Sequence, residues 1–161
     1  MKRRDLGKAL LCMTLSSAGG CDAGERCGPA EGVVSRVLDG DTIELAGGQV
    51  IRYLMVDAPE VGRAEECFGA MAEQANTLLV LGQRVQLRYD VECRDDYDRL
   101  LAYVSVEGRE VNSILLERGY ACVLHVPPNG EERLDELNLL EAKARAAKRG
   151  LWGACSAKPC S

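Results

Sequence analysis

Asp39-Gly40-Asp41-Thr42-Ile43-Glu44-Leu45, continued by Ile51-Arg52-Tyr53-Leu54-Met55-Val56-Asp57-Ala58-Pro59-Glu60, is the stretch that decides the reading of this chain. Asp39-Gly40-Asp41 reads as a tight turn between two strands, Val33 to Leu38 and Thr42 to Leu45, with Gly40 supplying backbone freedom. Gly47-Gly48 marks a second hairpin turn. The strand after it carries Arg52 and an apolar run, reaches Asp57, and is stopped by Pro59. Pairing of the first and third strands would bring Asp41 and Asp57 to adjacent strand ends. Two carboxylates with no cysteine or histidine beside them describe a hard-cation site. Arg52 offers an anion clamp and Glu60 a candidate base. Each piece alone is a common loop; the combination fits hydrolysis of a phosphodiester.

A second arginine follows in Asp95-Asp96-Tyr97-Asp98-Arg99. A phosphodiester transition state carries added charge on its equatorial oxygens, and guanidinium groups grip two oxygens at once without losing their proton. The alternative is a surface arginine paired with neighbouring acids.

Taken in order and spacing, these residues resemble the thermonuclease (staphylococcal nuclease-like) family. The matching residues are Val37 to Thr42, Arg52 to Glu60, Cys67-Phe68-Gly69 before a helix, Asp96 to Val104, Val111-Asn112, Glu117 to Ala121 and Gly150-Leu151-Trp152. The resemblance runs from about residue 33 to residue 153. It implies an α+β fold, a five-stranded OB-type barrel with about three helices. It also implies roles: Asp41, Asp57 and the main-chain carbonyl of Ala58 bind calcium; Glu60 is the general base; Arg52 and Arg99 contact the scissile phosphate; Tyr97 lies near the nucleotide. The implied reaction is endonucleolytic cleavage of DNA and RNA, mainly single-stranded or locally melted, leaving a 3′-phosphate and a 5′-hydroxyl. A monomer is expected. Asp98 departs from the family's usual Gly and Ala58 from a frequent Thr. The sole histidine, His125, stands where family members often have Tyr and reads as an exposed loop residue. Asp98 puts a charge beside the phosphate site. With the acidic balance it keeps open a second reading, a barrel that binds nucleic acid or another polymer without cutting it.

Flanking segments point to export. Lys2-Arg3-Arg4 and Lys8 precede the apolar run Ala9 to Leu15, then small residues and Cys21. Residues 1–20 read as a signal peptide, with Cys21 as a lipidation candidate and plain secretion as the alternative. Residues 21–32 read as a tether, 33–153 as the domain and 154–161 as a cysteine-containing tail. The full chain of 161 residues carries a net charge of −5, and removal of residues 1–20 leaves −8. An acidic domain predicts loose, salt-sensitive binding of nucleic acid rather than tight sequence recognition. Lys143, Arg145, Lys148 and Arg149 gather near the end of the last helix. No run of apolar residues is long enough for an internal membrane span.

Six cysteines remain beyond Cys21: Cys27, Cys67, Cys93, Cys122, Cys155 and Cys160. An even number in an exported domain predicts disulfides, and no C-x-x-C pair supports zinc. Placed on the family fold, they imply Cys67–Cys93 and Cys122–Cys155, leaving Cys27 with Cys160. For the elements, Ala72, Ala75, Leu78 and Leu79 mark the inner face of a helix over Ala70 to Leu81. Val85, Leu87 and Tyr89 alternate with Arg84, Gln86 and Arg88 in a strand. Arg99 to Val106 is the next strand, Val111 to Arg118 a short helix, and Leu134 through Leu151 a long amphipathic helix.

Overall fold

The computed structural model describes residues 27–62, 66–156 and 160. The signal segment and Cys21 lie outside them. Five strands close a barrel: β1 (Glu31–Val37), β2 (Thr42–Leu45), β3 (Val50–Tyr53), β5 (Arg84–Arg88) and β6 (Leu100–Val106). Neighbours are antiparallel except at the closing seam, where β3 and β6 run parallel with Arg52 opposite Leu101. The short strands β4 (Val56–Asp57) and β8 (Cys122–Val123) form a separate pair, and β7 (Arg109–Glu110) pairs antiparallel with the end of β6. The helices are α1 (Gly69–Val80), α2 (Val111–Arg118), α3 (Leu134–Ala146) and the short α4 (Leu151–Ala154). The mixed barrel with three main helices is the expected architecture.

Alternation explains the barrel wall. Val85 and Leu87 of β5 are buried while Arg84, Gln86 and Arg88 face out. With Val34, Ile43, Ile51, Tyr53, Leu100 and Val104 they fill the interior, and burial of this apolar surface is the main driving force for closure.

Several expectations are corrected. The first and third strands are not neighbours: β2 stands between β1 and β3. The most buried residues of α1 are Gly69, Ala72, Asn76 and Val80; Ala75 and Leu79 pack half-buried against the core as expected, but Leu78 is 80% exposed. A polar residue on the buried face hid this four-residue step. Asn76 is satisfied there by donating to the Asp39 carbonyl at 3.0 Å and accepting from the Tyr53 hydroxyl at 2.8 Å. The last helix is shorter than its apolar period implies. Lys148 and Gly150 take φ of 52° and 53°, which break it. Gly119 and Gly150 meet there, with Leu151 N donating to the Gly119 carbonyl at 2.9 Å. A Cβ on Gly150 would lie 2.0 Å from that oxygen. Arg145 stacks over the Trp152 ring and Arg149 donates to the Glu117 carbonyl, so two of the four basic residues there are engaged within the fold.

All six cysteines pair, but as Cys27–Cys93, Cys67–Cys155 and Cys122–Cys160. The expected pairing fails because the segments thought to be loose ends pack on the barrel. Leu87 N donates to the Ala30 carbonyl and the Tyr89 hydroxyl to the Pro29 carbonyl, both at 2.8 Å. That carries Cys27 to Cys93 at the base of the Arg99 turn. Residue 160 returns to Cys122 and is buried, leaving Cys155 for Cys67.

Candidate active site

The Asp39–Asp41 bend is held by its own side chain and by α1. Asp39 Oδ1 accepts from Asp41 N at 2.9 Å, and Asn76 fixes the Asp39 carbonyl from below. Gly40 is needed for space. Its φ is not positive, but a Cβ there would lie 2.5 Å from Ala58 Cβ and 2.9 Å from Ala72 Cβ. The bend thus packs directly on the segment that carries the second carboxylate.

Asp41 is buried at 5% exposure, and both of its oxygens are used. Oδ1 accepts from the Thr42 hydroxyl at 3.0 Å and lies 3.1 Å from Arg52 Nε; Oδ2 accepts from Ala58 N at 2.7 Å. Arg52 sits opposite Thr42 in the β2–β3 ladder. Its Nη1 donates to the carbonyls of Tyr53 at 3.0 Å and Val56 at 2.5 Å, and Nη2 reaches Asp57 Oδ1 at 3.4 Å. Met55, with φ 62°, lets the chain turn around the guanidinium. The two carboxylates therefore converge on Arg52 through β2, β3 and β4.

Glu60 is exposed at the rim of this cluster. Its backbone is clipped to Glu66: Glu60 N donates to Glu66 Oε2 at 3.0 Å, and Glu66 N donates to the Glu60 carbonyl at 2.9 Å. Gly69 lets α1 begin against that carbonyl, which would lie 2.3 Å from a Cβ. Cys67, next to Glu66, is tied to Cys155, so the loop is anchored at its far side.

Electrostatics bind these acids into one group. Burial pushes the Asp41 carboxyl up to about 7, with Arg52 opposing and Asp39 adding to the rise. Burial also raises Asp57, against Arg52 and with Glu66. Glu60 is raised first by partial burial, then by Asp39, Glu66 and Asp57. Such a site favours a cation. Among the described residues no group of three or more His, Cys, Asp or Glu side chains is placed to hold a metal ion. The donors are hard oxygens, and Asp41 stays ionised near neutrality only beside positive charge. Hard-oxygen carboxylates are the donors a divalent cation takes; one shared by Asp41 and Asp57, with the Ala58 carbonyl as the candidate third ligand, would have to displace Arg52 from both.

Arg99 directly precedes β6, whose Leu101 stands opposite Arg52. Asp95 holds it twice, accepting from Arg99 N at 3.0 Å and from Arg99 Nε at 2.7 Å. Those bonds hold the Asp95 carboxyl below its usual range despite partial burial. Asp98 has φ 64°, the left-handed region that Asp tolerates better than most residues. Tyr97 is 81% exposed, and the Arg99 guanidinium carbon stands 5.3 Å from its ring centre. A cavity of about 300 Å³ opens here, lined by Arg52, Arg94, Tyr97, Arg99, Leu124 and Val126 among others. Arg52 lines this cavity and also contacts Asp41 and Asp57, while Glu92, Asp95 and Asp96 line the cavity as well.

The structure therefore gathers Asp41, Asp57 and Arg52 in contact, with Ala58 hydrogen-bonded to Asp41 and Glu60 at the rim. Arg99 and Tyr97 share the cavity with Arg52. His125 is half-buried rather than exposed; its Nε2 lies 3.5 Å from Glu131 Oε1, and it does not line the cavity. Sequence reasoning missed Arg94 and the positioning roles of Asp39, Glu66 and Asp95. The four-residue spacings Arg94 to Asp98 and Asp95 to Arg99 were the available signal.

The chain is similar in sequence to several known proteins. Endonuclease YncB of Bacillus subtilis (strain 168) is 36% identical over 126 residues, covering 74% of this chain and 60% of that protein. Thermonuclease of Staphylococcus intermedius is 32% identical over 126 residues, covering 74% of each. An uncharacterized endonuclease of Escherichia coli O157:H7 is 35% identical over 131 residues, covering 78% of this chain and 79% of that protein. The chain spans 60%, 43% and 12% of three Bacillus subtilis endonucleases that it matches. The family described as staphylococcal nuclease homologue matches residues 50–154, most of the barrel and its helices, and the chain belongs to that family.

Proposed function

We propose that this chain is an exported, calcium-dependent endonuclease that hydrolyses phosphodiester bonds of DNA and RNA with little sequence preference. The observation that carries the reading is the convergence of Asp41 and Asp57 on Arg52, at 3.1 and 3.4 Å, with Glu60 at the same rim. The endonuclease names of the relatives support the same chemistry. A bound divalent cation would neutralise the acids and the entering phosphate, freeing Nε and Nη2 of Arg52 for the substrate while Nη1 stays on its two carbonyls.

Glu60 takes the proton of the attacking water, whose oxygen bonds to phosphorus. Charge builds on the equatorial phosphate oxygens, where the fixed cations Arg52 and Arg99 stabilise it. The P–O5′ bond breaks, the 5′-oxygen takes a proton from solvent water, and a 3′-phosphate and a 5′-hydroxyl remain. Tyr97 offers an aromatic face on which an unpaired base can stack, which favours single-stranded or locally melted substrate. Three disulfides fit an oxidising compartment. The signal over residues 1–20, Cys21 as the lipidation candidate with plain secretion as the alternative, and a monomeric state belong to the same proposal. Among the described residues no helix is long and apolar enough to cross a membrane.

Plasmid degradation with calcium and with EDTA tests the reading, with the product ends identified. Cleavage with calcium, its loss with EDTA and 3′-phosphate ends are expected. Undegraded plasmid with calcium, alongside retained binding, would favour the binding barrel.

A further inference from the structure

Arg94 stands next to Cys93, at the start of the turn that carries Arg99, and its side chain lines the same cavity. Its Nη1 donates to the Asp98 carbonyl at 2.6 Å and to Asp98 Oδ1 at 3.1 Å. The left-handed backbone of Asp98 presents both acceptors to one nitrogen. Nε and Nη2 of Arg94 make no hydrogen bond or ion pair among the described residues, and the side chain is 46% exposed. Arg99 is arranged alike: Asp95 holds Nε, and both Nη groups are left over. Arg52 differs, since Asp41, Asp57 and two carbonyls engage all three of its nitrogens. The cavity thus presents two anchored guanidinium groups with donors to spare, Arg94 and Arg99, beside the acids Glu92, Asp96 and Asp95, the last of them taken up by Arg99. Its volume of about 300 Å³ suits one nucleotide unit. A nucleoside within a polynucleotide is flanked by two phosphates.

We propose that Arg94 is a substrate-binding residue that grips the backbone phosphate neighbouring the one held by Arg99. Asp98 is its positioning residue. The acid that looks misplaced beside Arg99 is then an anchor for a second cation. Its own carboxylate is 87% exposed and well screened. The inference rests on the polynucleotide substrate proposed above, and extends it to a second phosphate subsite.

The test is binding of a fluorescent single-stranded 8-mer DNA in calcium, titrated against salt, in a Glu60→Gln background that prevents cutting. Arg94→Ala should weaken binding about 10-fold, as for one charge-assisted contact. It should also reduce the slope of log K against log salt by about 0.7, the value for one single-strand phosphate. Arg94→Gln should give the same slope, which covers a folding failure of the alanine variant. Arg94→Lys should restore the slope, which a merely structural arginine would not require. With Glu60 present, the Arg94 variants should raise KM and leave kcat within about threefold. If the wild type cuts DNA while Arg94→Ala and Arg94→Gln keep its affinity and slope, the subsite is refuted and the nuclease stands. If the wild type binds with an Arg94-dependent slope but does not cut, the subsite stands and the nuclease reading falls. A wild type that binds no 8-mer overturns both.

Discussion

Glu60 works as a base only when its carboxyl is ionised, and its neighbours make ionisation harder. Partial burial, Asp39, Glu66 and Asp57 raise it above 4.5. The acid limb of kcat/KM should therefore lie above that value, and mutation of Glu66 to Gln should move it down. Asp41 has a consequence for stability. Its folded pKa of about 7 exceeds the unfolded 3.8, so the folded state keeps a proton that the unfolded state gives up. That contribution is full below 3.8 and is lost as pH rises through about 7. Metal-free protein should thus lose about 1–3 kcal/mol between pH 5 and pH 8, measured by thermal melts, and calcium should restore more at pH 8 than at pH 5. At this scale the sequence was informative about charge-bearing residues. Asp41, Asp57, Ala58, Arg52 and Glu60 stand in one short stretch whose spacing could be read. Glu66 was not legible, because its role is to accept a hydrogen bond from a backbone six residues earlier.

Elements place those residues through contacts that alternation and helical periods do not encode. The β5 pattern was readable because its two faces meet core and solvent. The inner face of α1 was not, because Asn76 trades apolar contact for hydrogen bonds to Asp39 and Tyr53. Gly40 was read as a turn residue, whereas its place depends on the close approach of Ala58 and Ala72. Gly40→Ala should cost about 1–3 kcal/mol by overpacking and displace Ala58 from Asp41; a thermal melt and the loss of metal affinity would show it. The pairing of cysteines was legible only as a number, since connectivity depends on where both termini return. Non-reducing peptide mapping should recover Cys27–Cys93, Cys67–Cys155 and Cys122–Cys160. Removing Cys67–Cys155 by paired serine substitution should cost about 2–5 kcal/mol and loosen the loop that clips Glu60.

At the scale of the molecule, Arg52 on the β3–β6 closing seam meets two carboxylates, Asp41 at the start of β2 and Asp57 in β4, and a second arginine shares its cavity. Strand order was the least legible feature, because local sequence records the faces of β3 and β6 but not their parallel pairing. It is this pairing that brings Arg52 and Arg99 to one cavity. The acidic chain, net −5, should bind nucleic acid in a salt-sensitive way, its affinity falling steeply between 50 and 200 mM salt in a filter or fluorescence titration. The most direct measurement is cleavage of a 5′-labelled oligonucleotide in calcium by the wild type, Glu60→Gln and Arg99→Ala, all shown to be folded. The wild type should release fragments ending in 3′-phosphate. Glu60→Gln should be slower by about 100- to 10,000-fold, and Arg99→Ala by about 100- to 1,000-fold. Equal rates for all three proteins, or no cleavage by the wild type, would contradict the account.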